Sequence, residues 1–431
     1  MTGSRSGRGS NCIPRSQPPD ATHKWSTLGS LLACAVLWAG PAIADRPVFE
    51  TLRKVETPVQ GQAQEPFLAA SGDMLAMSWL SLDRSGASVR FARMDRAGWS
   101  QPVEVARGRD LFLNWADFPS VTFFGETGVA LHWLRKSEPR GFAYDIEMSV
   151  SDDLGATWSD AFIPHTDRSA SQHGFATMSG APDGTLDLLW LDGRSYDKVG
   201  FRDTPDAMQL RAVSVDGSGQ LGEDRAVDLQ TCSCCQTSSA RLGDGSLVVA
   251  YRDRTDAEIR DISVVRLADG NWAEPVTVHR DGWEIAGCPV NGPAIVAGGS
   301  QVAVAWFTGA DDVAKVNVAF SGDGGQSFAA PMRIDVSEPL GRVDALMLED
   351  GSVLVSWLEW EGDDEVLRLC RVVADKGCVA SQLLVRNGLS ASLNFPRMAR
   401  MGGDVFLAWT HPLDERRSTV VLVQGTPAAL D

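Results

Sequence analysis

Pro293-Ala-Ile-Val-Ala297, Gln301-Val-Ala-Val-Ala-Trp306, Lys315-Val-Asn-Val-Ala-Phe320 and Ala330-Pro-Met-Arg-Ile334 follow one another as four short runs parted by turn residues. The second run alternates large apolar with small residues and ends in an aromatic, the period-two pattern of a strand. That ending recurs along the chain at Met77-Ser-Trp79, Leu131-His-Trp133, Leu189-Trp190, Ala250-Tyr251, Val304-Ala-Trp306, Val355-Ser-Trp357 and Leu407-Ala-Trp409. The aromatics lie 54, 57, 61, 55, 51 and 52 residues apart. Turn signals such as Ser71-Gly-Asp73, Gly243-Asp-Gly245 and Glu349-Asp-Gly351 precede many of them. No long stretch of period 3.6 follows residue 45, so helices are expected to be few.

Seven near-equal units of four strands around an aromatic predict an all-β propeller with about seven four-stranded blades. Six is the alternative count. Six complete units run from about residue 65 to residue 386, and a seventh, from 394 to 424, shows only three strands. Pro47-Val-Phe-Glu-Thr-Leu52 is placed to supply the missing outer strand, which would close the ring and leave no open sheet edge. A β-sandwich gives no reason for seven equal periods, and a solenoid would have much shorter ones.

Outward from the repeat, the N-terminal end reads differently. Residues 1–27 are polar and mildly basic, Leu28 to Gly40 are largely apolar, and Pro41-Ala-Ile-Ala44 closes the run. These are the three parts of a secretory signal, with cleavage expected after Ala44 and room for an overcalled start in the first twenty or so residues. A lipoprotein reading through Leu31-Leu-Ala-Cys34 leaves almost no apolar run before the cysteine. The expected product is one domain from 45 to 431, periplasmic or secreted, with no membrane span and as a monomer. It carries 35 basic and 55 acidic side chains. Nucleic acid and anionic lipid are excluded as partners, because both need clustered Lys and Arg.

Two hairpins carry a longer motif. Ser151-Asp-Asp153-Leu-Gly155-Ala-Thr157-Trp158 and Ser321-Gly-Asp323-Gly-Gly325-Gln-Ser327-Phe328 occupy the same place, between strands three and four of blades two and five. Both fit S-x-D-x-G-x-[ST]-[WF], which resembles the Asp box (BNR repeat) of the sialidase-like propeller superfamily. Ser151, Asp153, Gly155 and Trp158, and likewise Ser321, Asp323, Gly325 and Phe328, are expected to tie a tight turn from within. The resemblance covers essentially the whole exported domain and implies a fold, not an activity. Family sialidases grip a carboxylate with three arginines and use a Tyr nucleophile with a Glu partner and an Asp acid/base. Here the first-blade position that usually reads Arg-Ile-Pro is Gln64-Glu65-Pro66, and none of Tyr144, Tyr196 and Tyr251 lies in the late blades. No sialidase activity is expected.

In the family, the connections from strand four to strand one, and from strand two to strand three, share the functional face. The cysteines concentrate there: Cys232, Cys234 and Cys235 precede strand one of blade four, and Cys288 holds the matching place in blade five. Neighbouring blades pack about 10 Å apart, so the four sulfurs can meet, with His173 one blade away. Soft thiolates with an imidazole suit Cu(I) or Zn(II). Disulfide stapling is the competing reading and a redox-active thiol a third, and both stay open. Cys370 and Cys378 face each other across Ala374-Asp-Lys-Gly377 and are expected to form a disulfide.

The same face supplies Arg194, Arg252, Arg254, Asn291, Arg342 and Arg397 as candidate ligand-binding groups, the guanidiniums matching carboxylates unless spent on neighbouring aspartates. Candidate catalytic carboxylates are Asp117, Asp192, Asp344 and Glu359. The segment Asp192 to Ala207 is expected to cover the central pocket. The leading function is therefore a propeller that binds a small molecule, a glycan or a soft metal at its cysteine-rich face. The alternatives are a carbohydrate-active enzyme (glycoside hydrolase or lyase) and a protein-interaction scaffold.

Overall fold

The computed structural model describes residues 46–196, 207–389 and 391–430. The segment expected to be a signal and most of the stretch from Asp192 to Ala207 lie outside them. The chain forms seven antiparallel blades arranged as a β-propeller. Blade five contains the strands Ala294–Gly298, Gln301–Thr308, Lys315–Ser321 and Met332–Arg333, close to the runs read from sequence. The outer strands of blades one and four are each broken in two, and in blade two a single bridge from Met148 to Phe162 replaces the fourth strand. Phe49–Val55 pairs with Ser418–Pro427 and completes blade seven, as the run at Pro47 to Leu52 predicts. No helix among the described residues is long and apolar enough to cross a membrane.

The repeat exists because each strand two buries its aromatic between blades. Trp79, Trp133, Trp190, Tyr251, Trp306 and Trp357 are at most 1% exposed. Trp306 packs with Val248, Ile262 and Val264 of blade four, and Trp357 with Val316 and Phe320 of blade five. A buried indole N–H usually finds an acceptor, and five of the six repeat tryptophans do, Trp409 being the exception. Trp79 donates to Ser81, Trp133 to Glu147, Trp190 to Asp192, Trp306 to Asp281 and Trp357 to Glu359. Tyr251 donates its hydroxyl to Asp228 at 2.5 Å.

The two eight-residue hairpins have the same internal bonding. In each, the serine hydroxyl (Ser151, Ser321) donates to the aspartate two residues on, at 2.8 and 2.7 Å, and accepts the glycine N–H (Gly155, Gly325) at 2.8 and 2.9 Å. The aspartates (Asp153, Asp323) also accept the backbone N–H and hydroxyl of Thr157 and Ser327. Gly155 sits at φ +82°, and a Cβ there would overlap the Phe91 ring of blade one. Trp158 meets that ring edge-on, with centroids 5.2 Å apart, so the turn clamps one blade to its neighbour. Cys370 and Cys378 are joined by a disulfide within blade six.

Candidate functional site

Antiparallel blades send every lead-in to strand one, and every link from strand two to three, to the same face. Two such lead-ins carry the cysteines, and one arginine holds both. The Arg252 carbonyl accepts the Cys232 N–H at 3.1 Å. Its guanidinium, 1% exposed as a residue, donates twice to the Asn291 carbonyl at 3.0 and 2.8 Å, and to Arg260 and Phe307 carbonyls at 2.6 and 2.7 Å. Asn291 lies three residues beyond Cys288, so Arg252 ties the two cysteine loops together. Gly292 brings them closer still: its N–H donates to Gln236 Oε1, and a Cβ there would overlap the Gln236 backbone.

In consequence the sulfurs converge. Those of Cys232, Cys234 and Cys235 lie within 4.8 Å of one another, with Cys232 and Cys235 at 3.3 Å. Cys288, from the next blade, is within hydrogen-bonding reach of Cys234. Cys232 and Cys235 are buried, Cys234 is partly covered and Cys288 is exposed. Arg260, which the sequence reading passed over, donates to Cys232 Sγ at 3.4 Å. Burial opposes charge on Cys232, yet the Cys234 and Cys235 thiols and the Arg260 and Arg252 guanidiniums outweigh it and hold Cys232 well below the ordinary thiol range. Cys234 is held well above it, first by its bond to Cys232, and burial pushes Cys235 up to about 12.

His173 belongs to a different cluster. Its ring is fully buried, stacked on His165 with centroids 4.0 Å apart, and meets Asp145 at 3.2 Å and Asp167 at 3.0 Å. Both ring nitrogens are thus engaged by carboxylates, which corrects the expectation that it faces the sulfurs. Hydrogen bonds and charge from these aspartates outweigh burial and raise the His173 pKa, while burial and the charge of His173 lower His165 to about 4.

Several candidate ligand and catalytic residues have structural employment. Asp117 accepts the Phe175 N–H at 2.7 Å, Asn291 accepts the Arg342 N–H at 2.7 Å, and Asp344 accepts the Met398 N–H at 2.6 Å. With Gln236 and Gly292, these form one recurring device: a polar lead-in side chain holds the backbone of the following blade. Asp192 is taken by Trp190 and Arg194, and Glu359 by Trp357 and Arg368. Arg194 also reaches Asp224, and Arg254 pairs with Glu258 at 2.5 Å. Arg252 is committed to carbonyls. As a set, Arg194, Arg252 and Arg254 are oriented by their own neighbours and do not form the anion grip envisaged from sequence.

At the channel mouth lie Arg342, which also pairs with Glu365 at 3.4 Å, Arg397, and a ring of strained residues in or just before the first strands. Glu65, Phe175, Val290, Arg342 and Asn394 all adopt left-handed φ of 51° to 60°. Each such residue costs roughly 1–3 kcal/mol, and such strain clusters at functional sites. Arg342 lies 4.6 Å over the Trp115 ring, and Arg397 lies 4.8 Å over Phe118 while pairing with Asp344. Between them Glu65, 2% exposed, accepts from Asn394 at 2.8 Å. Burial raises its pKa to about 8 against the pull of Asn394, Arg342 and Arg397, and burial likewise raises Asp117 to about 7. Tyr144 donates to Asp117 at 3.0 Å. The cavity below is bounded by Phe67, Asp117, Phe175, Thr237, Asp344 and Arg397.

No family model matches the chain, and no curated protein matches its sequence. Solved structures do. The chain is similar to the polysaccharide lyase Uly1 over 88% of this chain and 99% of the lyase, with 10% identity and a TM-score of 0.51. It is also similar to the endosialidase of phage phi92, over 89% of this chain and 70% of that one, with 10% identity and a TM-score of 0.50. NanB matches over 88% and 70%, with 10% identity and a TM-score of 0.46. At these identities the likeness is one of fold, that of a β-propeller.

Proposed function

We propose that the chain is an exported sialidase-like propeller that binds a soft metal ion, Cu(I) or Zn(II), at the cluster of Cys232, Cys234 and Cys235, with Cys288 at its solvent side, and without sialidase activity. The observation that carries this reading is the grouping of three sulfurs within 4.8 Å, with a fourth at hand from the next blade. Zn–S bonds of about 2.3 Å put tetrahedral ligands roughly 3.8 Å apart, the scale of this cluster. Three sulfurs so close do not sort into one pair with a clear leftover, and the neighbours Cys234 and Cys235 bond to each other only with strain. Arg252 and Arg260 supply positive charge against a multiply thiolate-ligated ion. Metal analysis and thiol counting on anaerobically purified protein test the reading. The expected result is one ion per chain, with the Cys232, Cys234 and Cys235 thiols reacting only after the ion is removed. Two disulfides among these four cysteines, with no metal bound, overturn it.

A second reading, a carbohydrate-active enzyme, is favoured by the channel mouth, where Arg342 lies over Trp115 beside the buried acid Glu65. Uly1 and the phi92 endosialidase show that this fold serves such proteins. For sialosides the expectation is negative, because the first-blade arginine is replaced by Gln64-Glu65-Pro66 and no tyrosine lies in the late blades. The pure protein should not hydrolyse a fluorogenic sialoside above background. Clear, specific hydrolysis sinks the non-sialidase part of the proposal.

A further inference from the structure

The four cysteines are graded from solvent inward. Cys288 is exposed, Cys234 is partly covered, and Cys232 and Cys235 are buried. The sulfurs of Cys232, Cys234 and Cys235 lie within 4.8 Å of one another, and Cys288 adjoins this group at Cys234. The inner end is held rigidly. The Cys232 N–H is bonded to the Arg252 carbonyl, the N–H of Thr231 to the Met208 carbonyl, and Arg260 covers the Cys232 sulfur. Arg252, itself buried, lies 4.8 Å over the Trp283 ring on the flank between the two loops. The outer end differs in its access to solvent, since Cys288 is exposed.

We propose that Cys288 is the loading ligand of the cluster: it takes the ion from a soluble thiolate complex and passes it through Cys234 to the buried pair. The proposal rests on the metal reading above. Cys288 displaces one donor thiolate from the ion and Cys234 displaces the other, and the proton of each cysteine thiol goes to the thiolate it displaces. Cys232, as the thiolate, then displaces Cys288. Cys235 adds as the third ligand, its proton passing to the released Cys288, and the oxidation state of the ion does not change. Three inner sulfurs suffice for a trigonal Cu(I) site, so the outer ligand is needed for transfer rather than for retention.

The test uses the full exported chain, reduced under anaerobic conditions, with the Cu(I) complex of glutathione as donor. Wild-type protein and Cys288→Ser should both end with one Cu(I) per chain, as measured by metal analysis. The variant should load slower by about tenfold or more, because the exposed path to the site is gone. Capping Cys288 of the wild type with a bulky alkylating reagent should slow loading in the same way, a check that does not depend on folding of a variant. Equal loading rates for wild type, variant and capped protein overturn the role of Cys288. Loss of all Cu(I) binding in Cys288→Ser also overturns it, by making this cysteine a permanent ligand. Failure of the wild type to bind Cu(I) or Zn(II) is a distinct result, and it overturns the metal reading itself.

Discussion

Arg252→Ala should lower the stability of the folded chain by about 4 kcal/mol or more, a large part of the 5–15 kcal/mol typical of a domain. The substitution withdraws four hydrogen bonds from three carbonyls in a region with little access to water. It also cuts the link between the Cys232 loop and the Asn291 segment, so the four cysteines should react faster with a thiol reagent even where the chain remains folded. Arg252→Lys keeps the charge but not the fork of donors, and should fall between wild type and alanine. Urea unfolding with a thiol-reactivity time course measures both effects. A midpoint shift worth less than about 0.5 kcal/mol, the range of an ordinary surface substitution, would show that Arg252 does not hold the two loops.

Glu65 should make the protein less stable as pH rises through the neutral range. Its folded pKa of about 8 stands above the ordinary 4.5, so the folded chain holds a proton that the unfolded chain has released. The stabilisation is complete below about pH 4.5 and is lost as pH climbs through about 8, at up to about 1.4 kcal/mol per pH unit. Asp117, with a folded pKa of about 7, adds a similar slope over a window that begins and ends lower. Glu65→Gln keeps an oxygen for Asn394 and removes the titration. Its stability profile between pH 5 and 8 should be flatter than wild type by roughly that slope, with the largest gain at pH 8. Parallel profiles for the two proteins would mean that Glu65 is ionised in the folded state.

The ring of blades was legible because its cause is local and repeated. Each strand two needs one large aromatic between neighbours, and Trp79, Trp133, Trp190, Tyr251, Trp306, Trp357 and Trp409 record that need in the sequence. The convergence of Cys232, Cys234, Cys235 and Cys288 follows from the same register, since equivalent lead-ins of adjacent blades must lie side by side. The employment of single polar groups was not legible. A carboxylate that clamps a backbone N–H, as Asp117 and Asp344 do, is written with the same letter as one that moves a proton. Arg252 looked like a surface grip because sequence does not tell which way a strand end points, and here it points inward to carbonyls. His173 and His165 meet only because the lead-in to blade three folds back against the Tyr144–Ser151 strand of blade two, which no spacing rule announces. Glu65 was visible only as a missing arginine. Its burial depends on Asn394, Arg342 and Arg397 arriving from the other end of the chain.

That junction of the two ends has a consequence for how the molecule is made. Arg53 meets Gln424 at 2.5 Å across 371 residues of chain, and the Phe49–Val55 strand pairs at separations of 367 to 378 residues. Synthesis runs from the N-terminal end, so this segment is the first of the propeller to emerge and the last to find its place. Until the final strand arrives, six blades can stack but the circle stays open, exposing the flanks of blades one and six. Closing a loop of this length is slow compared with pairing inside a blade, and unpaired edges invite association with other chains. Any helper that shields the first strand during synthesis would therefore act on yield rather than on the stability of the finished ring.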